Sequence, residues 1–173
     1  MKLLFWPMMV LAVALLSSSA ALSQNPSLPA NNGVLEPVAV KKDPYPADAD
    51  AKREIDEALK LAATDHKRVL LVFGGNWCYD CHVLDRALHE GAAGKIVSEG
   101  FLLVKVDIGE VNKNLDLAKQ YKIPLEKGVP AVAILSGDGK LLYSSGDGEF
   151  EAARRMMKND LVAFLNRWRE SGQ

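Results

Sequence analysis

Leu70-Leu71-Val72-Phe73-Gly74-Gly75-Asn76-Trp77-Cys78-Tyr79-Asp80-Cys81 is the stretch on which the reading turns. An apolar, strand-like run ends at two glycines. A tryptophan and two cysteines follow, and behind them leucines and alanines recur at helical spacing. Cys78 and Cys81 are the only cysteines of the chain, so any cysteine chemistry lies here. At i and i+3 on the first turn of a helix, the two side chains are neighbours and can close a small disulfide without large backbone movement. Cys78 falls at the helix start, where unpaired N–H groups and the helix dipole stabilise a thiolate. Cys81 lies one turn deeper and is expected to be less exposed. One sulfur attacks, and the other resolves the mixed disulfide.

Upstream, residues 48–65 read as a helix with Ile55, Leu59 and Ala62 on its apolar stripe. Residues 69–73 read as a buried strand. The cysteine helix runs from 78 to about 90 with Leu84, Ala87 and Leu88 inward. Gly91 and Gly94 weaken it, leaving at most a further turn around 95–98. Residues 101–107 form the next strand and 115–121 a short helix. Residues 131–135 and 140–144 flank Ser136-Gly137-Asp138-Gly139, a hairpin turn signal. Leu161, Phe164, Leu165 and Trp168 follow i, i+3, i+4, i+7, so the last helix is amphipathic. A parallel start followed by an antiparallel hairpin predicts an α/β fold: a mixed central β-sheet with helices on both faces.

The motif resembles the active site of the thioredoxin superfamily, which commonly reads W-C-x-x-C, and the chain looks like its exported bacterial members. Val129-Pro130 before the apolar residues 131–135 resembles the superfamily's cis-proline, which faces the cysteine pair. The resemblance implies the thioredoxin fold over residues 47–173, with substrate contacts at Trp77, Val129 and Pro130. Residues 124–128 make the loop before this proline about three residues longer than the thioredoxin pattern. Lys105 matches a strand lysine that approaches the cysteines in many thioredoxins; the competing reading is a solvent-facing lysine. The superfamily also carries a buried acid six positions ahead of the first cysteine. Val72 stands there, which leaves Asp80, Asp107 or Glu126 as candidate replacements.

The 173 residues favour one domain, 49% of them hydrophobic. A net charge of −1 argues against nucleic acid as a partner. Residues 1–23 read as a signal peptide: Lys2, an apolar run over 3–16, then small residues over 17–23. That run is short for a membrane span, so no stable membrane insertion is expected after cleavage. Export places the pair in an oxidising compartment, the bacterial periplasm in this reading. Residues 24–46, with Pro26, Pro29, Pro37, Pro44 and Pro46, read as a flexible spacer with a short edge strand at 34–35 or 38–40.

Three rivals accompany the redox reading. A static disulfide would make the domain a non-catalytic binding or chaperone module. Cys78-Tyr79-Asp80-Cys81-His82 matches C-x-x-C-H, the attachment motif of c-type haem, with His82 as proximal ligand and Met156 or Met157 as distal candidates. Cys78, Cys81, His82 and His89 are four possible zinc ligands, but they share one short helix that cannot wrap a tetrahedron. The reading favoured is an exported thiol-disulfide oxidoreductase with no cofactor beyond the Cys78–Cys81 disulfide. Protein thiols and disulfides are its substrates, and a redox partner resets the pair. Tyr79, Asp80, His82 and Lys105 are candidates for tuning it. Asp80 puts negative charge beside the forming thiolate, so the pair leans toward reduction or electron relay.

Overall fold

The computed structural model describes residues 33–40 and 43–169; the signal-peptide reading of residues 1–23 lies outside them. Its elements are α1 (Ala51–Asp65), β1 (Arg68–Gly74), α2 (Tyr79–His89), α3 (Gly91–Gly100), β2 (Phe101–Asp107), α4 (Leu115–Gln120), β3 (Ala131–Leu135), β4 (Leu141–Ser144) and α5 (Lys158–Trp168). The four strands form one sheet in the order β2-β1-β3-β4. β1 runs parallel to β2 and antiparallel to β3, and β3 and β4 form the hairpin. The expected mixed sheet with helices on both faces is the observed one.

β1 reads as an unbroken apolar run because both its faces are covered. Val69, Leu71 and Phe73 pack with α1 and α4, while Leu70 and Val72 pack with α2, α3 and α5. The strand therefore ends at Gly74 wedged between two cores, and the loop that follows has a fixed base. α1 starts at Ala51 rather than at 48, because the Asp50 side chain accepts the Arg53 N–H at 3.1 Å and caps it. The α5 end is tied to the sheet by Arg68, whose guanidinium donates to the Trp168 carbonyl.

Two expectations change. The single further turn around 95–98 is a ten-residue helix, α3. Gly94 does not break it. A side chain there would sit 2.5 Å from the His89 carbonyl carbon, so glycine is what lets α3 fold back on the end of α2. The described residues of the segment read as a spacer, 33–40 and 43–46, are also docked on the domain. Leu35 N–H donates to the Met156 carbonyl and Lys158 N–H to the Gly33 carbonyl, both at 2.9 Å. Val34 thus pairs with Met157 as an isolated antiparallel bridge, at the first of the two edge-strand positions expected. Leu35 and Tyr45 are buried. The segment is a strap across the helical face, and it ends beneath the cysteines.

Candidate active site

The site stands where β1 gives way to α2. Cys78 is the N-cap of α2, and its Sγ accepts the Cys81 N–H at 3.1 Å. The sulfurs of Cys78 and Cys81 are joined in a disulfide with Cα atoms 5.2 Å apart. Cys78 is 6% exposed and Cys81 0%, the expected order. Val129-Pro130 is a cis peptide, and the Val129 carbonyl oxygen lies 3.4 Å from Cys78 Sγ. No proton lies between them while the disulfide is closed; a reduced Cys78 has its S–H acceptor there. The loop before this proline contains a 3-10 turn, Leu125–Lys127.

Trp77 is 52% exposed, with its indole N–H on the Gly109 carbonyl at 2.7 Å. Gly75 leaves room for it, since a side chain there would lie 2.7 Å from Trp77 Nε1. The ring is thus presented beside the disulfide at a fixed angle.

The four tuning candidates lie elsewhere than the charge pattern alone suggests. Asp80 is 5% exposed, and its carboxylate accepts the Arg154 N–H at 2.8 Å and the Arg154 guanidinium at 2.7 Å. Its charge is matched, so the expected negative field beside Cys78 is largely cancelled. The cause is a cation 74 residues downstream. Tyr79 turns away from the sulfurs: its hydroxyl accepts the Val38 N–H of the strap at 3.3 Å, and Arg154 lies over its ring. His82 is buried, with Nε2 2.8 Å from the Asn76 carbonyl. Lys105 sits opposite Val72 in register, and its ammonium pairs with Asp85 of α2.

The acids considered as replacements at Val72 are committed or outside. Asp107 accepts the Gly109 N–H at 2.9 Å and pairs with Lys113 at 3.1 Å. Glu126 is exposed. With both sulfurs joined to each other and the His82 ring turned onto Asn76, the c-type haem reading finds no support. No group of three or more His, Cys, Asp or Glu side chains suited to a metal occurs among the described residues.

Sequence reasoning missed Tyr45 and Asn76. Tyr45 is 1% exposed and clusters with Cys78, Cys81 and Val129. Its backbone is clamped by one side chain: Tyr45 N–H donates to Asn76 Oδ1 at 3.0 Å, and Asn76 Nδ2 donates to the Tyr45 carbonyl at 2.7 Å. The available signal was an aromatic residue between two prolines, Pro44 and Pro46, in an otherwise polar segment.

Burial, then the carboxylates of Asp85 and Asp107, push the Tyr45 phenol far above its ordinary 10.0. It stays neutral in the native state while the unfolded chain's phenol ionises above about 10. The unfolded state then holds fewer protons, so stability falls as pH rises past 10. Relative to Tyr45→Phe, the wild type should lose up to about 1.4 kcal/mol per pH unit between 10 and 11 in urea unfolding. Parallel curves for the two proteins would refute the burial of an ionisable phenol here. Tyr121 and Tyr143, also raised mainly by burial, are common to both proteins and cancel.

Known proteins share this fold. The model of the family described as thioredoxin-like matches residues 50–137. A thioredoxin from Mycoplasmoides gallisepticum is 31% identical over 90 residues, which span 52% of this chain and 76% of that protein. Among solved structures, a disulphide isomerase from Xylella fastidiosa Temecula1 superposes with TM-score 0.69 at 36% identity, covering 73% of this chain and 96% of that one. The C-terminal domain of DsbD from Neisseria meningitidis, in its reduced form, shares the fold at TM-score 0.50 and 20% identity, covering 68% of this chain and 96% of that one. Sheet order, the cysteine pair at the head of α2 and the family match all agree: this chain belongs to the thioredoxin-like family, as a thiol-disulfide oxidoreductase.

Proposed function

We propose that the protein exchanges disulfides with cysteines of exported proteins, with Cys78 as attacking sulfur and Cys81 as resolving sulfur, in the direction of reduction or electron relay. The observation that carries the direction is the pairing of the surrounding charges. A strong oxidant needs a heavily stabilised Cys78 thiolate, because its reduced form must be favoured. Here Cys78 Sγ receives the Cys81 N–H and the start of the helix dipole. The nearby cations are spent on carboxylates: Arg154 on Asp80 and Lys105 on Asp85. The thiolate is helped by one helix end and by no unpaired cation among these.

Trp77 and the Val129 backbone are the proposed contacts for an extended substrate chain on either side of Cys78. Export is supported by Lys2, the apolar run over 3–16 and the small residues over 17–23. No helix among the described residues is long and apolar enough to cross a membrane.

Equilibration with glutathione tests the direction. We expect a potential between about −180 and −270 mV. A value near −120 mV would make the protein an oxidant, and one well below about −300 mV would make the disulfide static. In the reduced protein, alkylation near neutral pH should mark Cys78 first; mass mapping that finds Cys81 first reverses the roles.

A further inference from the structure

Opening the disulfide creates a charge where water cannot reach. An attacking thiolate forms its new S–S bond to Cys78 Sγ, the Cys78–Cys81 bond breaks, and the electron pair leaves on Cys81 Sγ. No proton moves in that step, so Cys81 departs as a thiolate. Cys81 is 0% exposed, and a buried anion without a donor is costly. Its own N–H is already given to Cys78 Sγ. The charged and polar groups around the motif are engaged elsewhere: Asp80 with Arg154, Asp107 with Gly109 and Lys113, Lys105 with Asp85, His82 with Asn76.

Tyr45 is placed differently. A side-chain carbon built on Gly74 would fall 2.7 Å from Tyr45 Cζ and 2.8 Å from Cys81 Sγ, with the Tyr45 hydroxyl nearer still. Phenol and sulfur therefore converge over the bare Cα of Gly74, with no side chain of that residue between them. The Asn76 clamp fixes the Tyr45 backbone, and the Asn76 carbonyl meets the His82 ring one position after Cys81. The Tyr45 backbone is thus anchored to the loop before α2, and that loop to α2 itself.

We propose that the Tyr45 hydroxyl donates a hydrogen bond to the Cys81 sulfur when the disulfide opens, and so stabilises the leaving thiolate. Val72 stands where the resemblance implies a buried acid, and the hydroxyl supplies a polar group beside the buried sulfur instead. It acts as donor and not as base. Burial and the fields of Asp85 and Asp107 keep its proton on oxygen through the neutral range. The inference rests on the exchange chemistry of the pair and is independent of the direction proposed above.

The test reads Cys81 without turnover. In a Cys78→Ser background, thiolate absorbance gives the Cys81 titration. Adding Tyr45→Phe, which keeps the ring and removes one oxygen, should raise the Cys81 pKa by about one unit, a tenfold loss of thiolate near neutrality. With both cysteines present, Tyr45→Phe should slow reduction of the disulfide by dithiothreitol about tenfold and leave the Cys78 titration unchanged. An unmoved Cys81 titration overturns the proposal, even if the rate falls, because packing alone would then explain the rate. Should Tyr45→Phe fail to fold, Asn76→Ala carries the same test by loosening the clamp: the Cys81 titration must rise, and no change refutes the role. A glutathione potential that overturned the proposed direction would not alter either titration.

Discussion

Cys81→Ser is expected to turn the protein into a trap that holds one substrate molecule per chain, while Cys78→Ser abolishes exchange. Exchange proceeds through a thiolate attacking along the S–S axis, and a serine hydroxyl is not ionised near neutral pH. Cys78 is the less buried of the two sulfurs, 6% exposed against 0% for Cys81: it caps α2, faces the Val129 carbonyl and directly follows the exposed Trp77 in the chain. Its removal should cost at least about a thousandfold in turnover of a protein disulfide. In Cys81→Ser the backbone N–H of residue 81 still serves Cys78, because that donor does not belong to the side chain. Attack continues, resolution stops, and the mixed disulfide accumulates. Non-reducing electrophoresis and intact mass measure it directly. Adducts formed by Cys78→Ser, or near-normal turnover by Cys81→Ser, would invert the assignment.

Gly74→Ala should be the most disruptive single methyl addition at the site. The added carbon would overlap the Tyr45 ring at 2.7 Å and Cys81 Sγ at 2.8 Å. Neither neighbour has freedom to move: Tyr45 is clamped by Asn76, and Cys81 is bonded to Cys78. Nor can the strand end shift easily, since the Gly74 carbonyl accepts Ile108 N–H at 2.9 Å. Overpacking of this kind costs about 2–3 kcal/mol, which lowers the melting temperature by roughly 5–10 °C for a domain of this size. Gly146→Ala is the control, because a side chain there meets nothing within 4 Å. Calorimetry should separate the two clearly; equal melting temperatures would mean the space over Gly74 is not filled as described.

Much of this was legible in the chain. The unbroken run at 69–73 announces a strand covered on both sides, and the i, i+3 cysteines after Trp77 announce its chemistry. The i, i+4 leucines of the last helix mark its inner face. The illegible parts share a physical cause: they depend on what meets what, not on period. Gly91 and Gly94 look like helix breakers until Gly94 is seen against the His89 backbone. Asp80 reads as an uncompensated charge until Arg154 arrives from far downstream. Proline-rich composition is the signature of a linker, and nothing in it shows that the Asn76 amide will hold Tyr45 by both backbone groups. The position of Val72 did carry a correct signal, since it left the buried sulfur without its usual neighbour; what fills the gap lies 27 residues earlier in sequence order than any periodicity could reach.

The strap also bears on how kinship is read. The family match starts at residue 50, after Tyr45 and after every backbone contact that seats the strap. Two chains that agree throughout the matched span can therefore carry different chemistry beneath the same cysteine pair, because Tyr45 comes from a stretch outside that span. A fragment that begins at residue 50, where the family match starts, and runs to the end of α5 would keep the motif, the sheet and the helices, yet expose an empty socket under the disulfide. Potentials and rates measured on such a fragment would describe a different catalyst from the one the whole chain builds.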